Sequence, residues 1–327
     1  MLLKFWPQKT NLSFMNLRLF GAVVSSLLIA ASVFFLSTRG LNFGVDFAGG
    51  TVMELEQTDT VTVEAVRQAM PLNADVNSAV GTDARSIVVV KYGEADASVL
   101  GEAFQALPAS EQAERATGAT NELVTGTLKE TLSITDDQIL RNDSVGPKVS
   151  QELFRDGITA LVAALVLMLV YIWFRFEWQF SIGAVAALAH DVIITLGVFA
   201  FLQMEFNLTT IAALLTIIGY SMNDTVVVFD RVREEKRKYK KMPDKEVIDL
   251  ALNGTLSRTL LTSGTTLLAL LAIFFLGGPV LRGMSFALIW GVLIGTYSSI
   301  FIASTIVLAL GMDLNKKPLE DVQGFQG

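Results

Sequence analysis

Six stretches of this sequence stay apolar for long enough to cross a bilayer: 19–36, 158–174, 180–202, 208–229, 255–276 and 284–310. A helix needs about 20 such residues to span the hydrocarbon core. The last run is longer than that and has room to tilt or to end early. Only 17% of the residues are charged, against about 25% in ordinary soluble domains. Between the first and second runs lies a polar stretch of more than a hundred residues, 37–156. The expectation is a polytopic α-helical membrane protein with one soluble insert. Its parts are an N-terminal segment and first span (1–37), the insert (38–156), a five-helix remainder (157–312) with a basic loop at 231–257, and a tail (313–327). Lys4, Lys9 and Arg18 precede the first run, as in a signal peptide. That run exceeds the roughly 7–15 residues of a signal h-region, so it is expected as an uncleaved anchor.

Charge orients these parts. Short cytoplasmic loops carry an excess of Lys and Arg, while long translocated domains escape that rule. The 231–257 stretch holds eight basic residues against five acids. The N-terminus is basic, and so is the tail at Lys316 and Lys317. Six spans put all three on one side, so both termini are expected in the cytoplasm and the insert outside it. From Thr38 to Lys148 the insert carries 17 acids against 8 bases, a net of −9. The basic stretch reads as a topology determinant that touches anionic lipid or, alternatively, as a site for a specific cytoplasmic partner. A nucleic-acid role is not expected, because Tyr239 alone interleaves aromatic surface with these charges. With no cysteine, an insert outside the cytoplasm has no disulfide and rests on its own core.

The insert alternates strand and helix signals. Residues 51–57, 75–81, 85–93 and 137–146 read as strands, the middle two meeting in a turn at Gly81-Thr82-Asp83. Residues 61–70 and 96–107 read as helices, the latter opening on Asp96. A second helical stretch lies near 121–132, with an extra one near 110–118. The order β-α-β-β-α-β is that of a ferredoxin-like, α+β domain. Its scattered acids read as a solvated face or, alternatively, a weak surface for a basic or unfolded chain.

The fourth run carries Asn223 and Asp224 inside an otherwise apolar helix. A charge near the bilayer centre costs about 2.5–3.5 kcal/mol on insertion scales, so such residues usually face the bundle interior. At a helical period, Thr216, Tyr220, Asn223 and Asp224 share one face, and on the next run Thr255, Arg258, Thr259, Thr262 and Thr266 share another. Both stripes belong in the cytoplasmic half of the membrane. Two readings stay open at this point. Asp224 and Arg258 form a static buried pair, or Asp224 takes up and releases a proton while Arg258 responds to its charge. His190 and Asp191 add a second polar point in the third run, as structural hydrogen-bonding groups or as relay members. Gly291, Gly295 and Ser298 make a small-residue face for close helix packing. HExxH, G-x-S-x-G and P-loop motifs are absent, so neither an intramembrane protease nor an ATPase is expected. No catalytic residues, metal or cofactor are expected either.

Several pieces then resemble one family in its order: 41–51 "LNFGVDFAGGT", 142–150 "NDSVGPKVS", 189–197 "AHDVIITLG", 219–234 "GYSMNDTVVVFDRVRE", 257–266 "SRTLLTSGTT" and 295–304 "GTYSSIFIAS". The chain resembles the SecF family, the smaller membrane subunit of the SecD–SecF pair of the bacterial Sec translocase, within the RND transporter superfamily. The resemblance implies six spans as an RND-type half bundle, one periplasmic domain and an inner-membrane location. It also implies a SecD partner, association with the SecY–SecE–SecG channel and YajC, and a translocating preprotein as cargo. Protons are the implied coupling ion, with Asp224 and Arg258 in the proton-carrying positions, supported by Asn223, Thr262, His190 and Asp191. Asp46, Gly49 and Gly50 fall in the motif where membrane and outer domain meet, and the glycine pair offers a flexible turn there. A stripe with one Asp and one Arg looks like half of a site. Alternatives from other classes are a structural assembly factor of the translocase that moves no protons, and half of an RND-type exporter.

Overall fold

The structure, a computed structural model, describes residues 10–80 and 85–312. The chain enters through a single 3-10 turn, Phe14–Asn16, and the first long helix, α1, Arg18–Thr38. A two-residue strand β1 (Asn42–Phe43) and a one-turn helix α2 (Val45–Ala48) then lead into the insert. There follow β2 (Gly50–Glu56), α3 (Val63–Ala69), β3 (Ala74–Val80), β4 (Ser86–Tyr92), α4 (Glu102–Gln105), α5 (Ala109–Leu132) and β5 (Ile139–Val145). The chain returns as α6 (Pro147–Arg175), α7 (Trp178–Leu202), β6 (Glu205–Phe206), α8 (Leu208–Lys238), α9 (Asp244–Leu276) and α10 (Gly278–Ser298). A π-helical turn, Ser299–Ala303, joins α10 to α11 (Ser304–Leu310).

Among the described residues six helical stretches are long and apolar enough to span a membrane, so the chain is a multi-pass membrane protein. They divide into two classes. In α7, α8 and α10–α11 about half of the most apolar window is buried (56%, 56% and 50%), whereas in α1, α6 and α9 the share is 17%, 11% and 17%. The first three form the centre of the bundle and the others flank it. Large apolar side chains fill the end of that centre away from the insert, among them Phe180, Leu188, Met222, Phe229 and Leu252. Phe199, Ile211, Leu214, Ile217 and Ala287 fill the end next to the insert.

The 231–257 stretch, expected as a loop, is mostly helix. α8 runs on to Lys238 and α9 starts at Asp244. The reason is electrostatic. Arg231 pairs with Glu235 one turn on, at 2.6 Å. Lys236, Arg237 and Lys238 occupy the last turn of α8, and Asp244 and Glu246 the first turn of α9, where each sign suits the helix dipole. Only residues 239–243 connect the two helices, which therefore pack as an antiparallel pair. The helix that leads out of the insert, α6, begins inside the stretch expected as insert. Pro147 starts α6 at a position where its missing N–H costs nothing. The Gly81-Thr82-Asp83 turn, Lys4, Lys9 and the tail at 313–327 lie outside the described residues.

The insert is a four-stranded antiparallel sheet in the order β3-β4-β2-β5. With α3 and α5 as its helices, the connectivity is β-α-β-β-α-β. One face carries Met53, Leu55, Val76, Val88 and Val90 against Val66, Val124 and Leu128 of the helices. The helix expected over 96–107 shrinks to the single turn Glu102–Gln105. Gly101, in a left-handed conformation at φ 96°, breaks it. The two separate stretches near 110–118 and 121–132 are one helix of 24 residues, which starts directly after Pro108.

The insert meets the bundle through several contacts. β1 pairs in parallel with β6, and Phe43, Phe47, Phe154 and Phe206 stack edge to face around that pair. Lys91 of β4 pairs with Glu205, and desolvation pushes the Lys91 ammonium below its ordinary value, with Asp75 opposing.

Candidate functional site

Asp224 lies in the buried face of α8, 9% exposed. Thr259 of α9 donates to its Oδ1 at 2.6 Å, and Ser299 donates to its Oδ2 at 2.6 Å. Among the described residues no Lys or Arg pairs with it. A carboxylate removed from water has to be compensated by hydrogen bonds or by protonation, and here hydroxyls from two neighbouring helices supply the compensation. Helical periodicity explains Thr259. Thr255, Thr259 and Ser263 recur every four residues and are all buried against α8 and α10. Ser263 in turn contacts Tyr220 Oη at 3.2 Å and Thr296 Oγ1 at 2.8 Å.

Arg258 is not the partner of Asp224. It lies on the exposed side of α9, as does Thr262, whose hydroxyl donates to the Arg258 carbonyl of its own helix at 2.9 Å. On α8, Thr216 and Asn223 are exposed in the same way. The two polar stripes are therefore each split down the middle. A stripe about 100° wide is broad enough for one edge to face the bundle while the other faces outward. Asp224 and Thr259 turn inward; Asn223, Arg258 and Thr262 turn out.

His190 and Asp191 lie at mid-span in α7 and are 3% and 1% exposed. Asp191 Oδ2 accepts from Ser221 of α8 at 2.6 Å and from Ser298 of α10 at 2.8 Å. Its Oδ1 contacts His190 Nδ1 at 2.9 Å, and His190 Nε2 contacts Ser25 of α1 at 3.2 Å. Ser298 and Ser299 thus hold one buried carboxylate each, side by side in the chain.

Close packing brings these helices within reach. A Cβ on Gly291 would lie 2.2 Å from Ile217 of α8, and one on Gly295 would lie 3.1 Å from Ser221. The small face of α10 is turned onto α8, with Ser298 continuing it. On the other side of α7, a Cβ on Gly197 would lie 2.1 Å from Ser32 of α1. The π turn carries an extra residue per turn, which leaves local groups to be satisfied by side chains. Ser304 donates to the Ser299 carbonyl at 3.0 Å.

Where the bundle meets the insert, Asp46 Oδ2 accepts from the Leu208 backbone N–H at 2.9 Å, next to the start of α8. Gly49 and Gly50 both have positive φ, and a Cβ on Gly50 would lie 2.4 Å from the Tyr92 carbonyl. The glycine pair is a close-packed corner that leads into β2.

Ser221, Ser299, Ser263, Ser25 and Tyr297 belong to these networks without having stood out in the sequence. Serine is common in packed membrane helices, and its spacing carries no signal of what it faces. A retrospective signal exists in "TYSS" at 296–299, four consecutive hydroxyl side chains inside an apolar run.

Comparison with known proteins places this arrangement. A family model described as "Protein export membrane protein SecD/SecF, C-terminal" matches residues 124–313, and one described as "SecD/SecF GG Motif" matches 34–56. The chain is 46% identical to the protein translocase subunit SecF of Cereibacter sphaeroides, over 99% of this chain and 97% of that one. It is 41% identical to the SecF of Vibrio alginolyticus, over 92% and 90%. Among solved structures it is similar to SecDF of Thermus thermophilus, described as a translocon-associated membrane protein, with a TM-score of 0.76 at 34% identity. That match covers 94% of this chain, which spans 39% of the length of the solved one.

Proposed function

The chain belongs to the SecF family of protein translocase subunits, and on that premise we propose that it works beside a SecD partner to draw on the proton gradient in moving preproteins across the membrane. One observation carries the proposal. Asp224 is a buried carboxylate held only by neutral hydroxyls among the described residues. Hydroxyl donors rotate, so they need not stay on the carboxylate. In particular, Ser299 already reaches the Thr296 carbonyl at 3.0 Å. The site therefore tolerates Asp224 both charged and protonated, which a permanent Asp–Arg pair would not.

The outward polar edge supports the partner. Asn223, Arg258 and Thr262 lie exposed within membrane helices, where an uncovered charge is costly. A second bundle packed on that edge would cover them and bring its own polar groups to Arg258. The solved SecDF chain is more than twice the length of its match here, which leaves room for such a bundle. In this reading the membrane is the bacterial inner membrane, both termini are cytoplasmic, and the ferredoxin-like insert is periplasmic. The SecY–SecE–SecG channel and YajC are further associates.

Asp224→Asn keeps size and hydrogen bonding but cannot titrate. Preprotein completion is measured in membrane vesicles with an imposed proton gradient and with ATP removed after initiation. The expected result is loss of gradient-driven completion with normal accumulation and normal SecD binding. Normal completion would leave the chain a scaffold of the translocase.

A further inference from the structure

The polar network around α7 has one proton too few if His190 is neutral and Asp191 ionised. Four contacts run in series. His190 Nδ1 meets Asp191 Oδ1 at 2.9 Å, His190 Nε2 meets Ser25 Oγ at 3.2 Å, Ser25 Oγ meets Tyr297 Oη at 3.0 Å, and Tyr297 Oη donates to the Gly21 carbonyl at 2.7 Å. Each contact needs one proton. A neutral imidazole, one serine and one tyrosine bring three between them, and a carboxylate brings none. The carbonyl of Gly21 only accepts, so the Tyr297 proton belongs to it. Ser25 then donates to Tyr297, and His190 Nε2–H donates to Ser25. The remaining contact, between Nδ1 and Oδ1, is made only by a further proton, carried on either atom. Without it, Ser25 turns to donate to Nε2, and the Ser25–Tyr297 contact loses its proton.

We propose that His190 and Asp191 form a second proton-binding site in the membrane, holding one proton between imidazole and carboxylate, with an occupancy set by the charge on Asp224. The inference deepens the proton reading of Asp224 and rests on it for the coupling alone. The link between the sites is structural. Ser221, which donates to Asp191, precedes Asp224 by three residues on α8, about 4.5 Å along the helix axis. Ser298 donates to Asp191 and Ser299 to Asp224. Each serine also reaches a carbonyl of its own helix, Gly295 at 3.2 Å and Thr296 at 3.0 Å, and so has somewhere to turn when its carboxylate gains a proton. Two buried anions whose serine donors, Ser298 and Ser299, are adjacent in the chain repel, so a proton on one weakens the hold of the other site on its own.

Among the described residues no other charged side chain contacts His190 or Asp191. Of the elements packed against α7, α1 presents Ser25, α10 presents Tyr297, and α8 presents Asp224. The π turn and α11 bring no titratable group. The ionisable groups at the inner ends of α6, α7 and α8 pair with one another away from His190: Arg175 with Asp230, and Arg233 with Glu177. Lys148, Glu152, Arg155 and Asp156 belong to the opposite end of α6.

His190 is the chain's sole histidine, which makes the test direct. The full chain, labelled with nitrogen-15 at histidine and reconstituted in lipid vesicles, is followed by solid-state NMR across about pH 5 to 9. Nε2 is expected to carry a proton at the acid end and to become an acceptor at the alkaline end. In Asp224→Asn, which removes the neighbouring negative charge, the transition is expected at lower pH by about one unit, a tenfold loss of proton affinity. Asp224→Ser serves as a second neutral variant if Asn does not accumulate, with the same shift expected. An Nε2 signal that never changes across the range overturns the site, and a transition unmoved by both variants overturns the coupling. If Nε2 does not titrate while Asp224→Asn still abolishes gradient-driven export, this inference falls and the reading of Asp224 stands. If Nε2 titrates and Asp224→Asn exports normally, the second site stands and the export reading falls.

Discussion

Asp224 and Arg258 stand at one level of the bundle, since Thr259, the neighbour of Arg258, touches Asp224, yet they face opposite surroundings. The inward region around Asp224, Asp191 and His190 is closed. Its carboxylates are met by hydroxyls from α8, α9 and α10, and nothing beyond the chain is needed to satisfy them. The outward region of Thr216, Asn223, Arg258 and Thr262 is open. Its hydroxyls fall back on their own helix, Thr216 on the Ala212 carbonyl and Thr262 on the Arg258 carbonyl. The difference teaches that polar residues in a membrane helix serve two distinct ends. One set builds the site, and the other leaves an edge to be completed from outside.

Breaking the seam that closes the inward region gives the largest expected effect. Gly291→Leu drives a side chain into Ile217, where even a Cβ is 2.2 Å away. Separating α10 from α8 should destabilise the bundle by about 3 kcal/mol or more, seen as a lower melting temperature in detergent or failure to accumulate. An unchanged melting temperature would mean that the α8–α10 seam does not close the site. A smaller effect comes from opening one bond within it. Ser299→Ala removes one of two donors to Asp224 and should cost roughly 1.5–3 kcal/mol when the carboxylate is charged, and less when it is protonated. The loss should therefore shrink as pH falls, and a loss of equal size at all pH values would show that Asp224 keeps one protonation state. The smallest effect on the chain itself is expected outside. Arg258→Leu should change its stability by about 0.5 kcal/mol or less, while the yield of the complex purified with SecD drops. Loss of chain stability with an intact complex would reverse the assignment of the two faces.

Several of these features were legible early. Runs of apolar residues announce membrane helices because the bilayer sets their length, and all six coincide with helices long enough to span. Asp224 announces itself because a carboxylate in such a run is costly. Arg258 announced a site but not its side. α9 is amphipathic in no simple sense, with threonines spread over both edges of the stripe that holds Arg258, and the choice between edges depends on which neighbour packs there. The networks of His190 and Asp191 gave still less away, because they are assembled from four helices that are far apart in the chain. Ser25 and His190 are separated by 165 residues, and Ser298 and Asp191 by 107. In the insert, a strand period of two carried the four strands of the sheet, whereas α5 ran together because no glycine in it adopts a left-handed turn of the kind found at Gly101.

By itself the sequence determined that this chain crosses a membrane in six helices, that it carries a folded insert after the first, and that charge and hydroxyl groups interrupt the later helices at defined heights. These are properties of length and composition along one dimension, and the bilayer reads them directly. Tertiary structure alone decided which side of each helix faces its neighbours. In water the apolar face marks the interior, but lipid is as apolar as a protein core, and that rule loses its force. Small residues at Gly291, Gly295 and Gly197 let particular backbones approach. That approach turned Asp224 toward Thr259 and Ser299, Asp191 toward Ser221 and Ser298, and Arg258 toward the outside.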